Sequence, residues 1–224
     1  GRTIILYENY LYGLPGFFTE EECDTIIRIA DTVETKEGAV GEGTKENKDG
    51  HITDEIRSSL INWIGPQQLP IEIEQKIDDA MNMALKDTGW GYHIDYRQHY
   101  QFTTYNAPDI NQKRVGDFYT WHTDAGHQLD ERGQLRKLSF TLQLSSPEDY
   151  EGGYFQWLET VRCFDTMRDN ATVDMTNGIK TLPYSVKDRG SIFFFPSFVH
   201  HQVTPVTRGT RKSFVGWCVG NQYV

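Results

Sequence analysis

The sequence predicts a mainly β protein in which two N-terminal helices precede a sandwich or barrel of strands. From Gly91 onward, short apolar runs alternate with turn residues, as in all-β domains. Helical spacing of apolar residues is found only before that point. A chain of 224 residues can form one domain with one sizeable core. We therefore expect a single domain, residues 1–224, with helical support in 1–90 and a β core in 91–224.

Two segments carry the helix prediction. Within residues 13–33, Thr19 can cap the first free amides while Glu22 reaches back to it, and the acidic first turn suits the helix dipole. A second helix should begin at Pro70 and end near Asp87, because apolar residues recur there at helical spacing.

Two further segments have no clear secondary-structure period. Residues 34–56 are rich in Gly, Lys and Glu and almost without large apolar side chains, so burial cannot offset the entropy lost on ordering. We expect a mobile loop there, either a solvated connector or a lid that orders over substrate. Residues 159–185 are interpreted as an insertion whose role the sequence does not indicate.

The β region contains one strictly alternating strand, residues 137–145. We expect its apolar face to pack beneath the helices and its polar face to line a site. The apolar face comprises Leu138, Phe140, Leu142 and Leu144, and the polar face comprises Ser139, Thr141, Gln143 and Ser145. The predicted strands are 92–105, 117–124, 137–145, 153–158, 191–196, 199–206 and 211–219.

Composition argues against several classes of protein. The net charge of -10 disfavours nonspecific binding to a nucleic-acid backbone, which depends on Lys and Arg. No run approaches the roughly 18 apolar residues of a membrane span, and the first residues lack the pattern of a secretion signal, so we expect a cytoplasmic protein. Three widely separated cysteines argue against a disulfide framework and a thiolate zinc site. The oligomeric state stays open.

Residues 121–124, Trp-His-Thr-Asp, hold the main candidates for metal binding. His122 and Asp124 are two residues apart, so on an extended strand both side chains point to one face and can reach one ion. A distant histidine would complete a set of two imidazoles and one carboxylate, the arrangement used by non-haem iron oxygenases. Either His200 or His201 can supply it, because neighbouring strand residues face opposite ways. The other histidines, His51, His93, His99 and His127, are interpreted as surface or satisfied core residues.

Arg211 is the candidate anion-binding residue. Its planar guanidinium stays charged and can pair with a carboxylate through two hydrogen bonds, so it can anchor a dicarboxylate beside the metal. Trp217 shares its strand face and should stand near the same pocket.

Three segments, WHTD (121–124), RKLSFTLQLSSPEDYEGG (136–153) and FFPSFVHHQVTPVTRGTRKSFVGW (194–217), resemble the prolyl 4-hydroxylase-like branch of the 2-oxoglutarate and Fe(II)-dependent dioxygenases. Within it they look most like the bacterial-type prolyl/lysyl hydroxylase domains. The resemblance is good over roughly residues 100–220 and weaker over the first helix. It implies a double-stranded β-helix, or jelly-roll, core with the N-terminal helices packed on one sheet.

The resemblance also implies residue roles. In the family the distal histidine lies ten positions before the cosubstrate-binding basic residue, which selects His201 and pairs it with Arg211. The implied iron ligands are His122, Asp124 and His201. The implied 2-oxoglutarate contacts are Arg211, Tyr105, Gln143 and Trp217, with Gln143 standing where some relatives have a tyrosine. The implied substrate contacts are Tyr119, Arg136 and Trp217.

These roles imply a hydroxylase that uses Fe(II), 2-oxoglutarate and O2, with ascorbate as reductant, on a prolyl residue of a peptide or protein, releasing succinate and CO2. A free amino acid or a lysyl side chain is the alternative substrate. A second alternative is a jelly-roll module that binds a metal or ligand without turnover. Repair of alkylated bases is disfavoured, because those enzymes usually carry a second arginine where this chain has Trp217.

Overall fold

Two helices lie where the capping pattern predicts them. In this computed structural model, which describes residues 5–38, 56–109, 111, 115–126, 129–159 and 178–222, helix α1 spans Glu20–Ala30. Thr19 Oγ1 accepts a hydrogen bond from the backbone amide of Glu22 at 3.1 Å, and Glu22 Oε1 accepts one from the backbone amide of Thr19 at 2.9 Å. Helix α2 spans Ile71–Thr88 and ends at Gly89, whose φ of 70° is left-handed and suits glycine.

The strands form two antiparallel sheets. The described strands are β1 (Leu6–Glu8), β2 (Leu11–Leu14), β3 (Thr35–Glu37), β4 (Arg57–Ser58), β5 (Leu60–Ile64), β6 (Tyr96–Arg97), β7 (Tyr100–Asn106), β8 (Phe118–His122), β9 (Leu135–Gln143), β10 (Tyr150–Gly152), β11 (Phe155–Leu158), β12 (Ile179–Thr181), β13 (Ile192–Pro196), β14 (His201–Val203) and β15 (Val206–Gly220). The larger sheet has the order β1-β2-β13-β9-β15-β7-β5-β3, with β6 and β10 also paired to β15. The smaller sheet has the order β12-β11-β14-β8-β4.

From β7 to β15 the chain crosses repeatedly between the two sheets, which is the course of a double-stranded β-helix. This confirms the predicted mainly β jelly-roll with N-terminal helices. The apolar face of β9 packs with Ile26 of α1 and Ile77 of α2 in one buried cluster, as its alternation predicts. Glycine is needed at position 216 of β15, since a Cβ there would lie 2.2 Å from the ring of Phe140. Because the helices cover one face of the larger sheet, the cavity with the candidate site lies on its other face, between the two sheets.

The N-terminal part differs from the prediction because its described residues contain five strands besides the helices. Leu11–Leu14 form β2 and not the start of a helix, and the chain turns at Pro15 and Gly16 before α1 begins. Within the expected mobile loop, Thr35–Glu37 pair with β5 as strand β3. These strands are two to five residues long, too short for an alternating pattern to be recognised, and pairing with distant strands stabilises them. Residues 39–55, the rest of that loop, lie outside the described residues.

Three smaller expectations concern the cysteines, the insertion and membrane spans. Cys23 and Cys218 are buried free thiols, and Cys163 lies outside the described residues. Within the expected insertion, Ile179–Thr181 form β12 on the edge of β11, whereas residues 160–177 are not described. Among the described helices, none is both long and apolar enough to span a membrane.

Candidate metal centre

Strands β8 and β14 bring two histidines and an aspartate together. His122 pairs directly with His201 across these antiparallel strands. Asp124 Oδ1 lies 3.5 Å from Nε2 of His122 and 3.3 Å from Nε2 of His201. One ligand atom from each of the three residues lies within 4.8 Å of the others. The three groups can therefore contact one metal ion from one side.

Asp124 reaches this position from a turn, not from the strand that the sequence suggests. Strand β8 ends at His122, and the backbone amides of Asp124 and Ala125 both donate to the carbonyl of Ser197, at 3.0 and 2.9 Å. Ser197 is held in turn by a 2.9 Å hydrogen bond between its hydroxyl and that of Ser139 on β9. The carboxylate is thus positioned by contacts between three distant segments.

Both imidazoles are oriented through their second nitrogen. Nδ1 of His122 lies 2.7 Å from the carbonyl of Thr120, and Nδ1 of His201 lies 2.9 Å from the carbonyl of Val199. A proton on Nδ1 leaves Nε2 as the metal-binding lone pair, which is the usual arrangement in protein metal sites. His201 is buried and faces the site, whereas its neighbour His200 is exposed.

The charges in the site favour a divalent cation. Burial alone would raise the pKa of Asp124, but the imidazoles of His201 and His122 hold that pKa well below its usual range, so the group is a carboxylate. Burial and the nearby His201 lower the pKa of His122. Burial also opposes the charged form of His201, but the Asp124 carboxylate raises the pKa of that imidazole above its usual value. Two imidazole nitrogens and one carboxylate oxygen, with one side of the ion left open, are a donor set that suits Fe(II).

Arg211 lies in the same cavity as the three candidate ligands. The cavity has a volume of about 690 Å³, and the Arg211 side chain is only 2% exposed. Its Nη2 donates to Gln143 Oε1 at 3.2 Å, and its Nε has no hydrogen-bond partner within the described part of the chain. A buried guanidinium with an unused donor fits the carboxylate of a bound ligand such as 2-oxoglutarate.

The other predicted site residues surround the three candidate ligands and Arg211. Tyr105, Tyr119, Arg136 and Trp217 all line the cavity. Gln143 does not line it, and instead lies behind Arg211 and accepts its hydrogen bond. The structure thus brings eight of the nine predicted residues to one cavity and puts Gln143 in contact with one of them.

Several lining residues were not predicted from the sequence, and Trp63 and Arg57 are two of them. Trp63 of β5 stands at the mouth, 40% exposed, with its ring centroid 6.0 Å from that of Trp217. Arg57 of β4 is buried deeper, with its guanidinium 4.6 Å from the ring centroid of Tyr119. The short apolar run 60–64, bounded by Ser59 and Gly65, is a signal that could have revealed β5. No local pattern indicates Arg57.

Comparisons with known proteins find a matching family model and several curated relatives. A family model of the 2OG-Fe(II) oxygenase superfamily matches residues 100–219, more than half of the chain. A PKHD-type hydroxylase of Hyphomonas neptunium is 40% identical over 111 residues, 49% of this chain and 41% of that protein. One from Pseudomonas putida is 25% identical over 219 residues, 92% of this chain and 77% of that protein. The chain spans about two fifths of the length of the first curated relatives it matches.

Solved structures of similar fold include two prolyl hydroxylases. A Pseudomonas putida prolyl-4-hydroxylase superimposes with a TM-score of 0.58 at 18% identity, covering 95% of this chain and 93% of that one. A prolyl hydroxylase of Trichoplax adhaerens, in complex with a peptide fragment of the hypoxia inducible factor oxygen degradation domain, gives 0.61 at 16% identity, covering 94% and 83%. At these identities the likeness concerns the fold alone.

Proposed function

Because this chain belongs to the 2OG-Fe(II) oxygenase superfamily, we propose that it is a 2-oxoglutarate- and Fe(II)-dependent hydroxylase acting on a prolyl residue of a peptide or protein. One observation carries the proposal above all others. The candidate iron ligands His122, Asp124 and His201 share a cavity with the buried guanidinium of Arg211. A metal and a dicarboxylate can therefore bind side by side.

When bound, Fe(II), 2-oxoglutarate and dioxygen together supply the oxidation of an unactivated C–H bond, with succinate and CO2 as coproducts. His122, Asp124 and His201 would hold the iron, and Arg211 would hold the distal carboxylate of 2-oxoglutarate. Burial raises the pKa of Tyr105, so its phenol stays protonated and can donate a hydrogen bond to the cosubstrate. Gln143 would act indirectly, by orienting the Arg211 guanidinium.

The mouth of the cavity supports a peptide substrate with an apolar ring. Trp63 and Trp217 present aromatic faces there, which suit the ring of a prolyl residue. Trp217 itself is largely buried, and its Nε1 has no hydrogen-bond partner among the described residues. The Arg136 guanidinium lies 4.0 Å from the Trp217 ring centroid and places a positive charge beside that ring. The Trichoplax relative of similar fold was solved with a peptide bound.

The test is incubation of the protein with Fe(II), 2-oxoglutarate, ascorbate and a set of proline-containing peptides. Mass spectrometry of the peptides should show the gain of one oxygen on proline, in step with succinate formation. Lysine-containing peptides and free amino acids form parallel arms of the assay. Oxygen found only on a lysyl side chain or on a free amino acid would contradict the prolyl assignment.

A matched pair of variants controls for contaminating activity. His201→Ala removes a candidate ligand, whereas His200→Ala changes the exposed neighbouring imidazole. Only His201→Ala should abolish succinate formation. If the wild-type protein binds metal but forms no succinate with any of these pools, a binding module without turnover replaces the proposed enzyme.

A further inference from the structure

Three side chains form a stack that extends from the metal centre into the wall of the cavity. Tyr119 packs flat on His122, with ring centroids 3.4 Å apart and an interplanar angle of 14°. Arg57 Cζ lies 4.6 Å from the Tyr119 ring centroid. Since His122 already covers one face of the tyrosine ring, the guanidinium packs against the other. The order of the stack is Arg57, Tyr119, His122.

Strand pairing and hydrogen bonds hold Arg57 rigidly. Arg57 is directly opposite Tyr119 in the antiparallel pair of β4 and β8, where facing side chains are in closest contact. Its Nε donates to Ser59 Oγ at 2.8 Å, and its Nη2 donates to Gln101 Oε1 at 2.7 Å. The residue is only 5% exposed. A guanidinium fixed in this way does not move aside, and it therefore limits the movement of the ring that packs against it.

The stack restrains His122 in a direction that its hydrogen bond does not. The contact between Nδ1 and the Thr120 carbonyl, 2.7 Å long, restrains the imidazole within its own plane. Tilting of the ring out of that plane is opposed by the flat contact with Tyr119. We propose that Arg57 is a positioning residue of the metal centre, which holds the His122 imidazole at the correct tilt by packing Tyr119 against it. This inference rests on the proposed function, because it takes His122 to be a metal ligand.

The direction in which metal affinity changes on loss of the Arg57 charge distinguishes a positioning role from a purely electrostatic one. A guanidinium near a bound cation repels it, so loss of the Arg57 charge would by that effect alone strengthen metal binding. Loss of positioning has the opposite result, because groups that orient metal ligands commonly contribute about 10–100-fold in metal affinity. The proposal therefore predicts weaker binding when the charge is removed.

The experiment is a double-mutant cycle on the affinity for Co(II) alone, followed by visible absorption. Arg57→Met and Tyr119→Leu should each raise the dissociation constant about tenfold. In the double variant, Arg57→Met should add less than about twofold to the effect of Tyr119→Leu, because the arginine acts through the tyrosine ring. Tyr119→Phe keeps the stack and should bind Co(II) like the wild type.

Ser58→Ala is the matched control, because Ser58 lies in the same short strand and its hydroxyl donates to Asp117 Oδ1 at 2.6 Å without contacting the stack. It should bind Co(II) within about twofold of the wild type. An equal loss in Ser58→Ala would overturn the proposal, since strand pairing and not the stack would then be responsible. Unchanged or tighter binding by Arg57→Met, or fully additive effects in the double variant, would overturn it as well.

Two further measurements keep the result interpretable. Thermal unfolding without metal shows whether each variant folds, and if Arg57→Met does not, Arg57→Lys, which keeps the charge but lacks the planar fork, takes its place in the cycle. His122→Ala tests the proposed function itself, because that function requires His122 to be a metal ligand. If His122→Ala binds Co(II) as well as the wild type does, His122 is not a ligand and both proposals fall. If only the Arg57 variant equals the wild type, this inference alone fails.

Discussion

His201 of β14 lies directly opposite His122 of β8, and the centroids of the two imidazole rings are 4.2 Å apart. The register of two short strands thus determines which of two adjacent histidines meets the candidate site. A shift of one residue would turn His200 inward and His201 outward.

The first prediction concerns the choice between the two histidines. Loss of a group that only orients a metal ligand commonly costs roughly 10–100-fold. His201→Ala removes a candidate ligand itself, so turnover should fall by more than that. The thermal unfolding temperature should change little. His200→Ala should retain activity, because that side chain is exposed. Succinate formation and Co(II) titration of both variants provide the measurement. An inactive His200→Ala beside an active His201→Ala would refute this register.

The second prediction concerns Arg211. Arg211→Ala should raise the 2-oxoglutarate concentration needed for half-maximal turnover by roughly ten- to a hundredfold, because a hydrogen bond to a charged group contributes about 1.5–3 kcal/mol. Co(II) affinity without 2-oxoglutarate should stay within about threefold of the wild type, since Arg211 is not one of the candidate ligands.

Gln143→Leu, which removes only the acceptor of the 3.2 Å hydrogen bond from Arg211, should produce a smaller rise than Arg211→Ala. Steady-state kinetics with varied 2-oxoglutarate measure both variants. Equal 2-oxoglutarate requirements in the wild type and Arg211→Ala would exclude the assigned role of Arg211.

The third prediction concerns the mouth of the cavity. Trp63→Ala should raise the KM for the peptide substrate about fivefold or more, because a buried aromatic contact contributes roughly 1 kcal/mol or more, and should leave the 2-oxoglutarate requirement unchanged. Tyr184→Ala is the control, since Tyr184 is 65% exposed and does not line the cavity. Identical peptide KM values for Trp63→Ala and the wild type would show that the substrate does not contact β5.

The fourth prediction concerns pH and the stability of α1. Although burial opposes it, hydrogen bonds from Lys76 and from the backbone of Thr19 hold the pKa of Glu22 below its usual value of 4.5. A carboxyl whose pKa is lower in the folded state stabilises the fold above its usual pKa and loses that contribution as the pH falls through the folded value.

Glu22→Gln should therefore lower the unfolding temperature by about 1–4 °C at neutral pH, since a partly exposed ion pair contributes at most about 1 kcal/mol. The difference from the wild type should shrink as the pH falls below 4.5. Glu21→Gln changes an exposed neighbour and should show no such difference. Thermal unfolding at a series of pH values is the measurement, and a difference independent of pH would contradict the assignment.

Much of the architecture was predictable because it depends on neighbouring residues. Thr19 and Glu22 are three positions apart, so the capping box that starts α1 is visible in the sequence. Strand β9 alternates between apolar and polar residues, and its apolar face packs with the helices as that alternation predicts. Of the polar face, Thr141 lines the cavity, whereas Ser139, Gln143 and Ser145 do not. Strands β1 to β5 were missed, because each is short and is stabilised by a partner strand that lies far away in the chain.

By itself the sequence determined the kinds of groups available to the site: two imidazoles, a carboxylate and a guanidinium on strand-like segments. Strand alternation left His200 and His201 both open, the family resemblance selected His201, and the tertiary structure turns His201 inward. Only the tertiary structure decided that Asp124 is held by the carbonyl of Ser197 and that Arg57 and Trp63 join the cavity. The physical reason is that propensity, capping and alternation act over a few residues. The position of a side chain in the cavity depends instead on hydrogen bonds and packing between segments far apart in the chain, which no local pattern records.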